Sequence, residues 1–444
     1  MKRYWRLHRG HYRATLRLGV PVVISQLGQI TVGLADSIMI GRLGATELAT
    51  AAFANTLFSL PLIFGMGFAM SLTPFTGRAW ARKDYASIQT LWKNGLLANL
   101  LMAFALLLVA AGLYLAMPLM QQPLHLVAPA QSYFLILASS LLPLMVFFSG
   151  KQLLEGLSNT RIAMIITLLG NLLNILGNYL LIYGKAGFPE LGLNGAGIST
   201  LLARLVMAAV MLLLVVRHRA LRQGIRAGGR FSRKEVQRLY RLGLPMGLHL
   251  FSESSAFIVS GIMMGWLGET ALAAHQIVMS LSTLGFMLYQ GIGVSSTIRI
   301  SQLSAHQQPL LLQAAARASV HIVLLMVLII SLFFLIFRVQ LPFLFTPEAE
   351  VARLATELIL ILVIYQLFDA LQIIFSGILR GLADARIPGL LTIFSYFGVA
   401  IPLSYLSAFH LDLGPAGIWL GFPVGLGVCA LLFYFRIRKK LAGS

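Results

Sequence analysis

Three carboxylates interrupt long apolar stretches of this sequence: Asp36 in "GLADSIMIG", Glu253 in "LFSESSAF" and Asp369 in "YQLFDALQIIF". If these stretches cross a membrane, an ionised carboxylate at their centre costs about 3 kcal/mol or more. Each one must then face a cavity or a partner, which makes it a candidate functional residue. The alternative is a protonated carboxyl group that is hydrogen-bonded within a contact between helices.

Two of the carboxylates lie in the C-terminal half of the chain, where Tyr365 adds a hydroxyl group. Tyr365 precedes Asp369 by four residues, so both side chains project from one face of a helix. Glu253, Asp369 and Tyr365 could together bind a small cation such as Na⁺ through oxygen ligands. The two carboxylates could instead share a proton, because closely placed carboxylates raise one another's proton affinity. His249, four residues before Glu253, is either a packed core histidine or a residue that tunes the protonation of Glu253.

The N-terminal half carries a series of asparagines in "LGNLLNILGNYLLIYG". Asn174 and Asn178 are four residues apart and share a helix face, so we expect their amides to bond to the Asp36 carboxylate. The alternative is that these amides only hold neighbouring helices together.

The composition indicates which elements position these residues. Of the 444 residues, 58% are hydrophobic and 11% are charged, and the mean hydropathy is +0.84. These values predict an all-α polytopic membrane protein, because a membrane barrel would show short alternating strands instead. The net charge of +20 is interpreted as loop charge that sets membrane orientation and not as a nucleic-acid surface. The single cysteine, Cys429, excludes a disulfide or a cysteine-based metal site within one chain.

About twelve apolar runs are long enough to span a bilayer. They lie near residues 17–40, 50–74, 94–117, 130–150, 161–183, 194–216, 243–264, 272–296, 318–338, 354–375, 388–407 and 416–435. The loops on one side carry nearly all Lys and Arg residues, so we expect both termini and the basic linker in the cytoplasm.

The two halves of the chain resemble each other. "RLGVP" at residues 17–21 recurs as "RLGLP" at residues 241–245, and "GLSNTRI" from Gly156 recurs as "GLADARI" from Gly381. We therefore predict two six-helix lobes related by a pseudo-two-fold axis, residues 1–216 and 242–444, joined by a basic cytoplasmic linker at 217–241. A duplicated bundle is typical of secondary transporters, with a channel or a membrane enzyme as alternatives. No ATP-binding GxxxxGK[ST] motif occurs, so coupling to an ion gradient is expected.

The twelve-span layout, the repeated "RLGVP" and "RLGLP", Asp36, "GNLLNILGNYLLIYG" and "FPELGLNGAGIST" together resemble the multidrug and toxic compound extrusion family. The combination of Glu253, Asp369 and Tyr365 resembles its NorM branch. The resemblance implies a transporter and not an enzyme. It would export cationic amphiphilic drugs in exchange for Na⁺ or H⁺, with Na⁺ favoured, and would act as a monomer among membrane lipids, without cofactor or nucleic acid.

The resemblance also implies residue roles. Glu253, Asp369 and Tyr365 match the coupling-cation site, whereas Asp36, Asn174 and Asn178 match a polar network of the N-terminal lobe for protons or substrate. Gln276 and Phe286 match drug-contacting positions, although the aromatic residue at the position of Phe286 is often a tyrosine. The alternative function is a lipid or lipid-linked oligosaccharide flippase. A flippase of that kind needs a cationic cavity, and Arg204 is the one cation placed well inside a predicted span.

Overall fold

The computed structural model describes residues 2–226, 229–306 and 308–442. The helices of the first half are α1 (Lys2–Gly41), α2 (Ala45–Ala69), α3 (Leu72–Ala81), α4 (Tyr85–Ala116), α5 (Leu124–Ser139), α6 (Leu141–Gly156), α7 (Thr160–Ile182), α8 (Gly192–Arg217) and α9 (Arg219–Arg226). Those of the second half are α10 (Arg233–Trp266), α11 (Glu269–Ser304), α12 (Pro309–Ile336), α13 (Gln340–Phe343), α14 (Ala349–Gly381), α15 (Arg386–Ile393), α16 (Ile401–Phe409) and α17 (Gly414–Ala442). Short 3₁₀ turns lie at Met117–Leu119 and Lys185–Gly187, and a π-helical segment, Phe394–Ala400, joins α15 to α16. The described residues contain no β-strand, which confirms the all-α prediction.

Twelve stretches of helix are long and apolar enough to cross a membrane, as predicted. The helices extend beyond the predicted apolar runs. For example, the predicted run 243–264 lies within α10, which begins ten residues earlier in the chain, at the polar residues Arg233 and Lys234. A helix satisfies its own backbone hydrogen bonds, so it continues through the polar interface after the apolar side chains end.

The chain divides into two compact units. We call Ile24–Gly247 the N-unit, and Met1–Val23 together with Leu248–Ser444 the C-unit. The borders therefore fall inside α1 and α10, two residues after Pro21 and Pro245, and not in the linker at 217–241 where the repeat predicted them. The difference arises because the first turns of each repeat pack within the unit formed mainly by the other repeat.

Contacts of the first turns of α1 explain their place in the C-unit. Arg299 Nη1 donates to the carbonyl oxygen of His11 and to Thr15 Oγ1, at 2.7 Å each. The two backbones also approach closely at glycines, since a Cβ atom added to Gly291 would lie 2.3 Å from Cγ2 of Val23. Hydrogen bonds and close packing thus fix residues 11–23 against α11.

The linker and the start of α10 pack within the N-unit in the same way. Lys93 Nζ donates to the carbonyl oxygen of Gly229 at 2.9 Å, and the Asn94 side chain accepts from the Ser232 backbone N–H at 2.8 Å. A Cβ atom added to Gly67 would lie 2.6 Å from the carbonyl oxygen of Met246, so only glycine permits this contact. The described part of the linker is therefore attached to the N-unit.

Candidate functional site

The C-unit contains a buried cluster of ionisable side chains on two of its helices. α10 carries His249 and Glu253, and α14 carries Tyr365 and Asp369. Asp369 is 0% exposed and Glu253 is 6% exposed. The four-residue spacings place each pair on one helix face, as the sequence predicts, and both faces point inward. The two carboxylates are close enough to interact electrostatically with each other and with Tyr365.

The Glu253 carboxylate has one hydrogen-bond donor and one neighbouring imidazole. The Tyr396 hydroxyl donates to Glu253 Oε1 at 3.3 Å, and His249 Nε2 lies 3.9 Å from Oε2. Tyr396 belongs to the π-helical segment Phe394–Ala400, a conformation that is rare and often occurs at functional sites. Sequence reasoning missed Tyr396, because nothing in "FSYFGVA" distinguishes a π-helical turn from an α-helical one.

The contacts of His249 indicate its protonation. The Thr392 hydroxyl donates to the carbonyl oxygen of Pro388 at 3.0 Å, so it accepts from His249 Nδ1, which is 3.1 Å away. The Gln372 amide nitrogen lies 3.3 Å from His249 Nε2, which then acts as the acceptor. This pattern corresponds to a neutral imidazole. His249 is therefore a hydrogen-bonded core residue that lies beside Glu253, and its effect on the protonation of Glu253 stays a prediction.

Asp369 differs from Glu253 in its hydrogen bonding. Neither oxygen of its carboxylate has a hydrogen-bond partner among the described residues, and the same holds for the Tyr289 hydroxyl and for both amide atoms of Gln366. Tyr289 interacts electrostatically with Asp369, so these two side chains lie close to each other. Buried polar atoms without partners are costly, and they require an explanation such as a bound ion.

Aromatic rings surround Tyr365. Edge-to-face contacts join its ring to those of Phe257, Trp419 and Phe422, with centroids 6.3, 5.9 and 6.5 Å apart. Phe257 also stacks on Phe422 at 4.7 Å. This shell excludes water from one side of the carboxylates, so electrostatic interactions within the cluster are stronger than they would be in water.

A second polar group lies in the N-unit, around a cavity of about 300 Å³. Its polar lining consists of Gln29, Asp36, Thr167, Asn171, Asn174, Thr200 and Arg204. Asn178 Nδ2 donates to Asp36 Oδ1 at 2.5 Å, as expected. The Asn174 amide instead donates to Thr200 Oγ1 at 3.0 Å, so the expected bond from Asn174 to Asp36 is absent. The backbone carbonyl oxygen of Asn174 accepts from the Ser199 hydroxyl, and both bonds hold Asn174 to α8.

Arg204 gives this cavity a positive group beside its carboxylate. Its Nη1 atom donates to Ser140 Oγ at 2.5 Å, and its guanidinium carbon lies 5.2 Å from the centroid of the Phe58 ring. Arg204 also interacts electrostatically with Asp36 and Tyr133. The buried cation is thus balanced by hydrogen bonding, an aromatic face and a carboxylate.

The two residues carried over as drug contacts lie on α11, outside the buried cluster. Gln276 is exposed, and Phe286 is half-buried against a core that includes Tyr289 and Ile292. Among the residues the structure describes, no group of three or more His, Cys, Asp or Glu side chains could hold a metal ion.

The sequence matches one protein-family model twice. Residues 21–180 and 245–406 each match the MatE model, in agreement with the predicted duplication. The multidrug resistance protein MdtK of Yersinia pseudotuberculosis is 34% identical over 96% of this chain and 95% of its own length. The protein of the same name from Edwardsiella ictaluri is 32% identical over 99% of this chain and 96% of its own.

Solved structures share the fold. The eukaryotic MATE transporter AtDTX14 superposes with a TM-score of 0.88 at 18% identity, covering 98% of each chain. An outward-facing multidrug resistance MATE family transporter of the MOP superfamily gives 0.88 at 22% identity, covering 100% of this chain and 98% of that one. At these identities the structural likeness establishes the common architecture of two duplicated six-helix halves.

Proposed function

Since the chain belongs to the MatE family of multidrug and toxic compound extrusion transporters, we propose that it is an antiporter that exports organic, mostly cationic amphiphilic compounds in exchange for Na⁺ or H⁺. It is an integral membrane protein and not an enzyme. The relatives named as multidrug resistance proteins support drugs as the substrate class. A drug cation and a coupling ion that need the same negative charge would exchange for each other.

The burial of Glu253 and Asp369 in one unit is the observation that carries this proposal. Two ionised carboxylates in an apolar surrounding repel each other and have lost their hydration, so either one gains by taking up a cation. The surroundings of the two differ, because Glu253 accepts a bond from Tyr396 whereas Asp369 lies beside Tyr365 and has no close hydrogen-bond donor among the described residues. Uptake of the coupling ion from outside would neutralise this charge and weaken the binding of a drug cation.

Na⁺ and H⁺ would use the cluster differently. Na⁺ would take oxygen ligands from Glu253, Asp369 and the Tyr365 hydroxyl, whereas a proton would reside on one carboxylate and be shared with the other. The resemblance to the NorM branch favours Na⁺. Neither ion requires a cofactor.

In the N-unit, we assign Asp36, Asn174 and Asn178 to a polar network that responds to protons or substrate. The bond between Asn178 and Asp36 and the nearby cavity support this role. For Gln276 and Phe286, contact with drug rests on the resemblance; the partly exposed ring of Phe286 would offer an aromatic face to a cation.

The alternative, a lipid or lipid-linked oligosaccharide flippase, has less support. A pyrophosphate-bearing lipid needs concentrated positive charge, but the N-unit cavity pairs Arg204 with Asp36. The relatives' names also favour drugs. We further propose that the protein lies in a bacterial inner membrane as a monomer, with both termini in the cytoplasm.

Conservative neutral substitutions test the carboxylates. We expect Glu253→Gln and Asp369→Asn to lower ion-driven efflux of a fluorescent lipophilic cation from loaded vesicles by about tenfold or more, because each removes charge for which drug and ion compete. The matched control is Glu357→Gln, which makes the same change at an exposed position of α14. If both site variants transport as well as this control, the assignment is wrong.

A further inference from the structure

A groove in the C-unit lies apart from the buried carboxylates and has no role in the proposed transport. It has a volume of about 460 Å³ and opens on the surface formed by α12, α14 and α17. Its floor and walls are mostly apolar and include Ala316, Val320, Phe375 and Ile378. Three residues that can carry positive charge or donate hydrogen bonds lie at its rim: Arg317, His321 and Arg438.

The charged residues that line the groove are basic. No Asp or Glu lies among its lining residues in the described part of the chain. Asp384, which lies between α14 and α15, is engaged elsewhere, since it pairs with Arg436 of α17 at 2.8 Å and with Lys440 of α17 at 3.7 Å. Arg438 lies between Arg436 and Lys440 in the sequence. Its side chain projects from another face of α17, where its guanidinium is 5.7 Å from the centroid of the Tyr434 ring. The groove therefore favours an anion and repels the cationic compounds proposed as transport substrates.

The sequence places the two arginines at the level of the membrane surface. Between Arg317 and Arg338 there is no Lys, Arg, Asp or Glu, and this stretch of α12 measures about 30 Å, the thickness of the hydrocarbon core. On α17 the uncharged run ends at Arg436, one turn or less from Arg438. Both arginines thus lie where apolar helix gives way to charged helix, on the side predicted to be cytoplasmic.

His321 completes the polar rim. It lies one turn after Arg317 on α12, and its Nδ1 atom is 2.7 Å from the hydroxyl of Tyr12 on α1. The rings of Tyr12 and His321 also stack, with centroids 6.1 Å apart. This contact orients the imidazole and leaves Nε2 as the ring nitrogen available to a ligand.

The geometry points to a binding site for an anionic phospholipid in this groove. Arg317 and Arg438 bind the phosphodiester, His321 adds a hydrogen bond, and one acyl chain lies along Val320, Phe375 and Ile378. A basic pocket between helices at the cytoplasmic surface suits such a headgroup, and the apolar floor distinguishes a lipid from a free phosphate. This site does not depend on the transported substrate or on the coupling ion.

Lipid binding to the full-length protein tests the site. The delipidated protein in detergent is titrated with dioleoylphosphatidylglycerol and with dioleoylphosphatidylcholine, which has the same chains but no net charge, and native mass spectrometry counts the bound lipids. We expect the preference for the anionic lipid to fall by about 30-fold in the Arg317→Gln/Arg438→Gln double variant, since two interfacial charges are lost. The control Arg386→Gln/Lys439→Gln removes two exposed charges of the same unit that do not line the groove, and it retains the preference.

A second variant and a soluble competitor address the acyl chain. Val320→Trp fills the apolar part of the groove, so it weakens binding of both lipids while the arginines remain. Glycerol phosphate, which has the headgroup chemistry without chains, does not displace the bound lipid. The proposal is overturned if the double variant keeps its preference, if Val320→Trp binds lipid as the wild type does, or if glycerol phosphate competes fully.

Discussion

At the scale of single residues, the two buried carboxylates of the C-unit have unequal surroundings. Glu253 accepts a hydrogen bond from Tyr396 and lies beside a neutral His249, whereas Asp369 is enclosed among unpaired polar atoms. An incoming cation therefore finds one carboxylate that is already partly stabilised and one that is not. This difference in surroundings offers a reason why the cluster has two carboxylates, although one negative charge would be sufficient to bind a monovalent ion.

Residue identities and spacings predicted much of this arrangement. The intervals between Tyr365 and Asp369 and between His249 and Glu253 placed each pair on one face, and the interruption of apolar runs identified the acids. The sequence did not reveal that Asn174 bonds to Thr200 while Asn178 bonds to Asp36, because both lie on the same face of α7. The choice depends on how α8 packs against α7, which is tertiary information.

The residue that caps α4 leads to a prediction about pH. Asp84 precedes the helix, and its carboxylate accepts from the Ser87 hydroxyl at 2.6 Å and from the Ser87 backbone N–H at 3.0 Å. These bonds lower the pKa of Asp84 below its ordinary value. A group whose folded pKa is depressed stabilises the fold above its unfolded pKa of about 4, and that contribution is lost as the pH falls through the lower folded pKa.

Two variants separate this effect from general acid sensitivity. Asp84→Asn retains a good cap but does not titrate, so we expect its melting temperature in detergent to fall less than that of the wild type between pH 5 and pH 3. Asp84→Ala lowers stability by about 1 kcal/mol at neutral pH. Superimposable pH profiles for the Asn variant and the wild type would contradict the prediction.

At the scale of elements, α1 and α10 are each divided between the two units close to a proline, Pro21 and Pro245. Proline within a helix removes one backbone hydrogen bond and makes bending at that point easier. The repeat "RLGVP" and "RLGLP" identified these prolines, but an internal repeat shows which segments are related and not which segments pack together. The shared helices therefore became apparent only from the contacts.

Replacing these prolines tests whether the helices flex at the unit borders. We expect Pro21→Ala and Pro245→Ala to slow the initial rate of drug efflux by about tenfold while drug binding to purified protein stays unchanged, because a continuous helix resists bending. Pro423→Ala is the control, since Pro423 lies inside α17 within the C-unit. Rates equal to those of this control would show that bending at Pro21 and Pro245 does not limit transport.

The π-helical segment shows a limit of prediction for elements. The apolar run 388–407 predicted a single span, and the structure confirms it at Arg386–Phe409, with the π-helical segment Phe394–Ala400 between α15 and α16. Hydrophobic periodicity indicates that a segment is helical, but it does not distinguish a π-helical turn from an α-helical one. That turn presents Tyr396 to Glu253, so the feature missed by the sequence lies within the candidate site.

At the scale of the whole molecule, hydropathy predicted twelve spans and the internal repeat predicted two related halves, and the residues that the structure describes contain twelve helices long and apolar enough to span a membrane. The coupling ion is a property of the complete transport cycle, so it requires an experiment on the intact protein. If the carboxylates bind Na⁺, an imposed Na⁺ gradient drives drug accumulation in everted vesicles when the pH gradient is abolished by an ionophore. If they share a proton, only the pH gradient does so.

The expected outcome is stimulation by Na⁺, in line with the resemblance to the NorM branch. Vesicles that contain the Asp369→Asn variant serve as the control, because a gradient that acts through the cluster has no effect on them. Accumulation that responds to neither gradient would contradict the antiport proposal.

The attachment of residues 11–23 to α11 has a consequence for the order in which the protein is made. Thr15 accepts a hydrogen bond from Arg299, 284 positions later in the chain, so this part of α1 is synthesised well before the residues that it contacts. At a synthesis rate of about 5–20 residues per second, this segment waits for roughly 15–60 s. During that time the face of α1 that later packs against α11 is available to lipid, to the insertion machinery or to quality-control proteases. Completion of the C-unit is therefore coupled to the survival of this segment.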